Sequence, residues 1–136
     1  MAGAATDYLE NKILDHILGR TTYTAPATIY VGLANNVAED GTITGEPSST
    51  YNYSRVQVTN DTTNFPNASG GSKSNANEIA FSEASGSWGT INYVFLADAD
   101  VGSGNVLLYA QLTNPKTIGN GDTVKFEAGD LTFSVD

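Results

Sequence analysis

A mainly β chain is predicted by the sequence: an antiparallel β-sandwich of jelly-roll or Greek-key type, preceded by one N-terminal amphipathic α-helix. Three observations carry this. Apolar residues recur at helical spacing only between Leu9 and Leu18, runs of β-branched and aromatic residues follow at regular intervals, and clusters of Gly, Pro, Asn and Asp separate the runs. About seven or eight short strands at regular spacing, with turn residues between them, indicate such a sandwich. The expected division is a helical segment, residues 1–22, and a sandwich domain, residues 23–136.

The first element is a helix over Asp7 to Leu18. Asp7 and Glu10 stand at capping-box spacing, Leu9, Ile13, Leu14, Ile17 and Leu18 make the apolar stripe, and Gly19 is placed to end it. A lone three-turn helix is marginal in water, so the stripe is expected to cover the β-domain or a neighbouring subunit. Burial of those side chains stabilises by about 10 kcal/mol gross. If the contact is with a neighbour, deleting Met1 to Gly19 should leave a folded β-domain. Ala27 to Ala34 reads as the first strand, ended by Asn35-Asn36.

Val37 to Tyr53 is rich in turn residues, with Thr42-Ile43-Thr44 its one short strand. Arg55 to Thr59 alternates as a half-buried strand. Asn60 to Asn77 is a long polar loop, functional or mobile, whose bulky apolar point is Phe65. Glu78 to Phe81 is a short strand, and Ile91 to Ala97 a strand buried on both faces. Val106 to Leu112 is the next, stopped by Asn114-Pro115. The segments Thr123 to Ala128 and Leu131 to Val135 alternate cleanly. The inward phase of these strands gives a core of Ile29, Val31, Val56, Val58, Ile79, Phe81, Val94, Leu96, Leu108, Val124, Phe126, Leu131 and Phe133.

Composition removes several functions. Net charge is −9 with six Lys and Arg, which argues against binding a phosphate backbone, so no nucleic-acid partner is expected. With no Cys there is neither a disulfide framework nor a thiolate site, and a metal would have to take oxygen ligands and one His. The N-terminus lacks a positive n-region and no apolar stretch is long enough to span a bilayer. No membrane association is expected, and synthesis in a host cytoplasm is.

No catalytic, cofactor-binding or metal-binding residues are expected, and the chain does not read as an enzyme. A nucleophilic triad needs a base, and the single candidate is His16, on the polar face of the helix. Asp98 to Asn105 offers two carboxylates at calcium-loop spacing, but the later ligand positions are wrong, so a tight β-turn is the better reading. Glu39, Asp40, Glu46, Glu78 and Glu83 supply carboxylate pairs only by chance. Gly70 to Ser74 lacks the phosphate-loop spacing. What remains is contact chemistry. The candidate interaction residues are Leu9, Ile13, Leu14 and Ile17 on the helix, with Tyr51, Tyr53, Phe65 and Trp88 beside predicted loops. A place capping the ends of the sandwich core is the stronger reading for Trp88, and for Tyr51 and Tyr53 it stands level with the contact reading.

Two long segments, Asp7 to Gly19 and Tyr23 to Leu33, are similar to a family of small virion structural proteins of tailed bacteriophages. So are Tyr53-Ser54-Arg55, Trp88-Gly89-Thr90, Leu107-Leu108-Tyr109, Pro115-Lys116-Thr117 and Gly121-Asp122 through Ala128-Gly129-Asp130-Leu131. The likeness covers nearly the whole chain. Members are often labelled tail or tail-fibre proteins, and some resemble capsid decoration, or cement, proteins. The resemblance implies a virion location; the small size, the lack of a coiled-coil stalk and the hydrophobic helix at the N-terminus favour the capsid surface over the tail. The expected role is then cement, with the major capsid protein or another virion protein as partner, and a homo-oligomer, a trimer first, because decorating proteins commonly match local threefold symmetry and the apolar N-terminal stripe needs covering. A tail-fibre or baseplate component, or a carbohydrate- or receptor-binding module, is the alternative. The loops at 37–49 and 60–77 depart most from the family pattern.

Overall fold

The computed structural model describes residues 2–102 and 104–135. The outer ends of the two expected segments, residues 1 and 136, and Ser103 of the 98–105 loop lie outside the described residues. The strands are β1 (Ala2–Ala5), β2 (Thr28–Ala34), β3 (Asn36–Val37), β4 (Ile43–Thr44), β5 (Val56–Thr59), β6 (Ser72–Ser74), β7 (Ile79–Ala80), β8 (Gly89–Ala97), β9 (Val106–Ile118), β10 (Lys125–Phe126) and β11 (Thr132–Ser134). One helix, α1 (Asp7–Ile17), follows β1.

The fold is mainly β with one helix, but the strands do not divide into the two antiparallel sheets expected. Seven of them form one mixed, curled sheet in the order β5-β2-β8-β9-β1-β11-β6, and two ribbons, β7 with β10 and β3 with β4, accompany it. The mixed character comes from β1. Its first half runs parallel to β11, pairing Ala2 with Thr132 and Gly3 with Phe133. Its second half runs antiparallel to β9, pairing Ala4 with Tyr109 and Ala5 with Leu108. Residues 1–22 therefore do not stand apart from 23–136, because β1 joins β9 to β11 inside the sheet. An Ala/Gly run carries almost no strand propensity, which is why pattern alone misses it. Gly3 fits because it has no side chain: a Cβ there would lie 2.3 Å from Cδ1 of Phe133.

The two central strands account for the sheet's length. β9 runs past Pro115, where the sequence predicts a stop. Gly89 to Ile91 pair with Ile118 to Lys116, and Tyr93 then pairs with Gln111. Leu112 to Pro115 thus bulge opposite Asn92, and in a bulge proline's missing N–H breaks no ladder bond. Sheet curvature gives one main core cluster, in which Ile29, Val31, Leu33, Val94 and Leu96 meet Ile79 and Phe126 from the β7–β10 ribbon and Phe81 just after β7. Of the expected core, nine residues are buried, while Val56, Val58, Leu108 and Val124 are half-buried against it. A second cluster, Ala34, Val37, Phe95, Ala97 and Val106, lies on the opposite face under the β3–β4 ribbon. The β8 run from Val94 to Ala97 is therefore covered on both faces, as its unbroken apolar sequence predicts.

The segment 60–77 is a hydrogen-bonded connection. Asp61 accepts from the amides of Thr63 and Asn64 at 3.1 and 2.9 Å, and Phe65 packs on the main core. Ser72–Ser74 pairs with β11. Asn75, 4 % exposed, accepts from the Leu131 amide at 3.0 Å and donates to the Asn77 and Glu127 carbonyls at 2.8 and 3.1 Å. It ties this connection to the β10–β11 turn.

Candidate interaction surface

The helix is fastened at its first turn and freed along its length. Thr6, fully buried, donates from Oγ1 to the Val106 carbonyl at 2.7 Å, and its amide donates to Leu107 O at 2.9 Å. The same Oγ1 accepts from the Leu9 amide at 3.4 Å, so Thr6 is the N-cap. Asp7 and Glu10 lie inside the first turn, where carboxylates complement the helix dipole, and do not form the capping box expected of them. The helix ends at Ile17, with Leu18 as C-cap and Gly19 just beyond at φ 118°.

Burial falls off along this axis. Tyr8 and Leu9 pack against the main core and Ile13 is half-buried, but Leu14, Ile17 and Leu18 are 56, 67 and 73 % exposed. The stripe read as a covering face therefore covers the β-domain only through its first turn. Beside it an apolar groove of about 200 Å³ is lined by Leu9, Tyr23, Pro26, Phe65, Leu108 and Phe133. Among the predicted interaction residues the structure thus brings together Leu9 and Phe65 at the groove, with Ile13, Leu14 and Ile17 continuing along α1. His16 accepts from the Tyr23 amide through Nδ1 at 3.2 Å and so holds the chain reversal after the helix.

The three remaining aromatics lie elsewhere. Tyr53 and Trp88 are only 6 and 5 % exposed and meet edge to face, ring centroids 5.2 Å apart. Trp88 Nε1 donates to the Tyr51 carbonyl at 2.8 Å. Both rings are core components, because each finds a partner for its polar atom while burying its carbon surface. Tyr51 is exposed and lies against Gly86, where an added Cβ would come within 2.3 Å of its ring.

Sequence reading missed the polar hub beside Tyr53. The Tyr53 hydroxyl accepts from the Leu33 amide at 3.0 Å and donates to Glu46 Oε2 at 2.8 Å. Arg55 grips both Glu46 oxygens, Nε and Nη2 each at 2.8 Å, and donates from Nη1 to the Ala99 and Val101 carbonyls at 2.7 and 3.3 Å. Burial, reinforced by the Glu46 charge, pushes the Tyr53 phenol well above its ordinary range. Desolvation opposes the charge on Arg55, yet its bonds to Glu46 outweigh that and hold its pKa above the usual value. A lone Arg before an alternating strand was the available signal; its partner nine residues earlier carried none.

Two acidic features complete the surface. Asp98 accepts from the amide and the Nδ2 of Asn105 at 2.7 and 3.1 Å, so it closes the β8–β9 turn. Asp7, Glu10 and Glu39 bring carboxylate oxygens within 4.8 Å of one another at the foot of the helix. Burial and the charges of Glu39 and Glu10 raise the Tyr109 phenol. Such trios are common on acidic surfaces, and no other feature of this one points to an ion. Among the described residues no helix is long and apolar enough to cross a membrane.

The curled β-domain thus leaves the second half of the amphipathic helix exposed, with Leu14, Ile17 and Leu18 in solvent. The family described as Podophage GP4 fiber I protein gp80 matches residues 4–134, and the chain belongs to that family of phage virion structural proteins. No curated protein matches it.

Proposed function

We propose that the protein is a non-enzymatic component of a phage fibre, joined to its neighbours in the virion through the free face of α1. The carrying observation is the exposure of Leu14, Ile17 and Leu18 on a helix whose N-terminus is fixed by Thr6. A helix held rigidly at one end and apolar at the other presents a pre-organised contact, which lowers the ordering cost of association. The family's description as a fibre protein favours the tail over the capsid surface. Association of copies as a trimer belongs to the same proposal.

Gold-labelled antibody against the protein, imaged on purified particles, tests the address. Label at the tail or its fibres supports a fibre component. Label spread over the head lattice would replace it with capsid decoration and the major capsid protein as partner.

A further inference from the structure

Between the outer edge of β5 and the outer edge of β7 lies a gap of about 410 Å³, lined by Val56 to Thr59 on one side and Glu78 to Ala80 on the other. The facing groups can be assigned. In an antiparallel ladder, alternate residues bond to the partner and the rest point away. The Asn60 amide donates to Ala27 at 3.0 Å, and Leu33, beyond the end of β5, donates to the Tyr53 hydroxyl on that same side of β2. With Val58 opposite Ile29 and Val56 opposite Val31, these bonds fix Val56 and Val58 as the residues facing β2. The N–H and C=O of Gln57 and the N–H of Thr59 therefore face the gap. On the far side the Phe81 amide donates to Val124 at 2.9 Å and Ala80 stands opposite Lys125, so Ala80 turns its N–H and C=O away from β10. Gln57, Thr59 and Ala80 are all exposed.

We infer that this gap is a slot for one extended polypeptide segment, which would add a strand to β5 and reach the β7 edge. Two unpaired edges facing one space ask for a chain with donors and acceptors on both of its sides, and only an extended backbone has these. At roughly 150 Å³ per residue, from strand and sheet spacings, the gap takes about three residues. The described strands of this chain are already paired within its own sheets, so the occupant is a free segment of a different virion protein. Glu78 is the one charged residue in the lining, on a chain of net charge −9, so the segment is neutral or basic. Val56, Val58 and Phe65, half-buried, favour β-branched side chains on its inward phase.

The test uses the whole protein and the peptide acetyl-Lys-Thr-Val-Thr-Val-Thr-Lys-amide, followed by amide hydrogen exchange in NMR. Saturating peptide should slow exchange at Gln57, Thr59 and Ala80 by at least tenfold and leave Val58 as it was. A copy with alternate backbone nitrogens methylated should not do so, and a copy with Glu in place of both Lys should bind more weakly. Gln57→Pro removes an outward donor but no bond to β2, so this variant should keep the native spectrum and lose the peptide effect. Unchanged exchange at all three amides, protection by the methylated copy, or equal binding of the Glu peptide overturns the inference. Should Gln57→Pro fail to fold, the assignment of outward residues is wrong and the slot falls with it.

Discussion

Arg55 lies over the face of Phe95, its Cζ 4.9 Å from the ring centroid, while Glu46 holds the other edge of the guanidinium. This stack joins the β5 side of the sheet to the second core cluster. The Arg55 side chain is 2 % exposed, so removing its counter-charge leaves a buried cation unpaired. Glu46→Ala should destabilise by about 3–5 kcal/mol, whereas Glu46→Ala with Arg55→Met should cost clearly less than the two single changes together. Urea unfolding of the three variants reads the coupling, and additive losses would show that Arg55 and Glu46 act independently.

Stability should fall at alkaline pH through Tyr53. Its phenol is raised in the folded protein above the ordinary value of 10.0, so above that pH the native state binds more protons than the unfolded one. Stability contributed by the neutral phenol is complete below pH 10 and is lost as pH rises further, by about 1.4 kcal/mol per unit. Denaturation between pH 9 and 12 should show the fall, and Tyr53→Phe should make it shallower. Tyr23 and Tyr109, also raised, leave a residual slope in that variant.

Gly32 and Phe95 are coupled by space. A Cβ on Gly32 would meet Cζ of Phe95 at 2.2 Å. Gly32→Ala should therefore cost about 1–3 kcal/mol or more through overpacking, and adding Phe95→Leu should recover part of it. Calorimetric melting of the two variants decides this; a Gly32→Ala protein as stable as the parent refutes the packing assigned here.

Thr6 carries both the N-cap and the tie to Val106. Thr6→Val keeps the shape but loses the hydroxyl, with an expected cost of about 1–2 kcal/mol. Hydrogen exchange at the Leu9 amide should accelerate in this variant more than at the centre of β8. Equal protection at Leu9 would detach the helix from that hydroxyl.

Much of the sheet is legible in the chain because β2, β5, β8 and β11 carry β-branched or aromatic residues in the period that strands require. The helix is equally plain from Leu9 to Ile17, but periodicity says only that a face is apolar, never what it meets. What the sequence hides is hidden for local reasons: β1, which makes the sheet mixed, is Ala and Gly, β6 is Ser-Lys-Ser, and the second half of β9 lies past a proline that only a bulge admits. Trp88 reads in the sequence more as a core cap than as a contact ring and is buried, whereas Tyr53 reads equally as either; each has a distant acceptor, the Tyr51 carbonyl and Glu46, that lets it turn inward. Asn75 gives no sign in sequence of holding Leu131, 56 residues away. With β1 in the sheet, deletion of Met1 to Gly19 removes a strand as well as the helix. A folded remainder is no longer expected, and the helix face must be tested by substitution.

The most direct test of the contact role is therefore the occupancy of purified particles by a variant carrying Leu14→Ser, Ile17→Ser and Leu18→Ser. These side chains are mostly exposed, so stability should change by no more than about 0.5 kcal/mol per site. Quantitative immunoblotting of particles assembled with the folded variant should find at most a tenth of the normal amount. Normal occupancy by that folded variant would contradict the assignment of α1 as the surface through which the protein joins the virion.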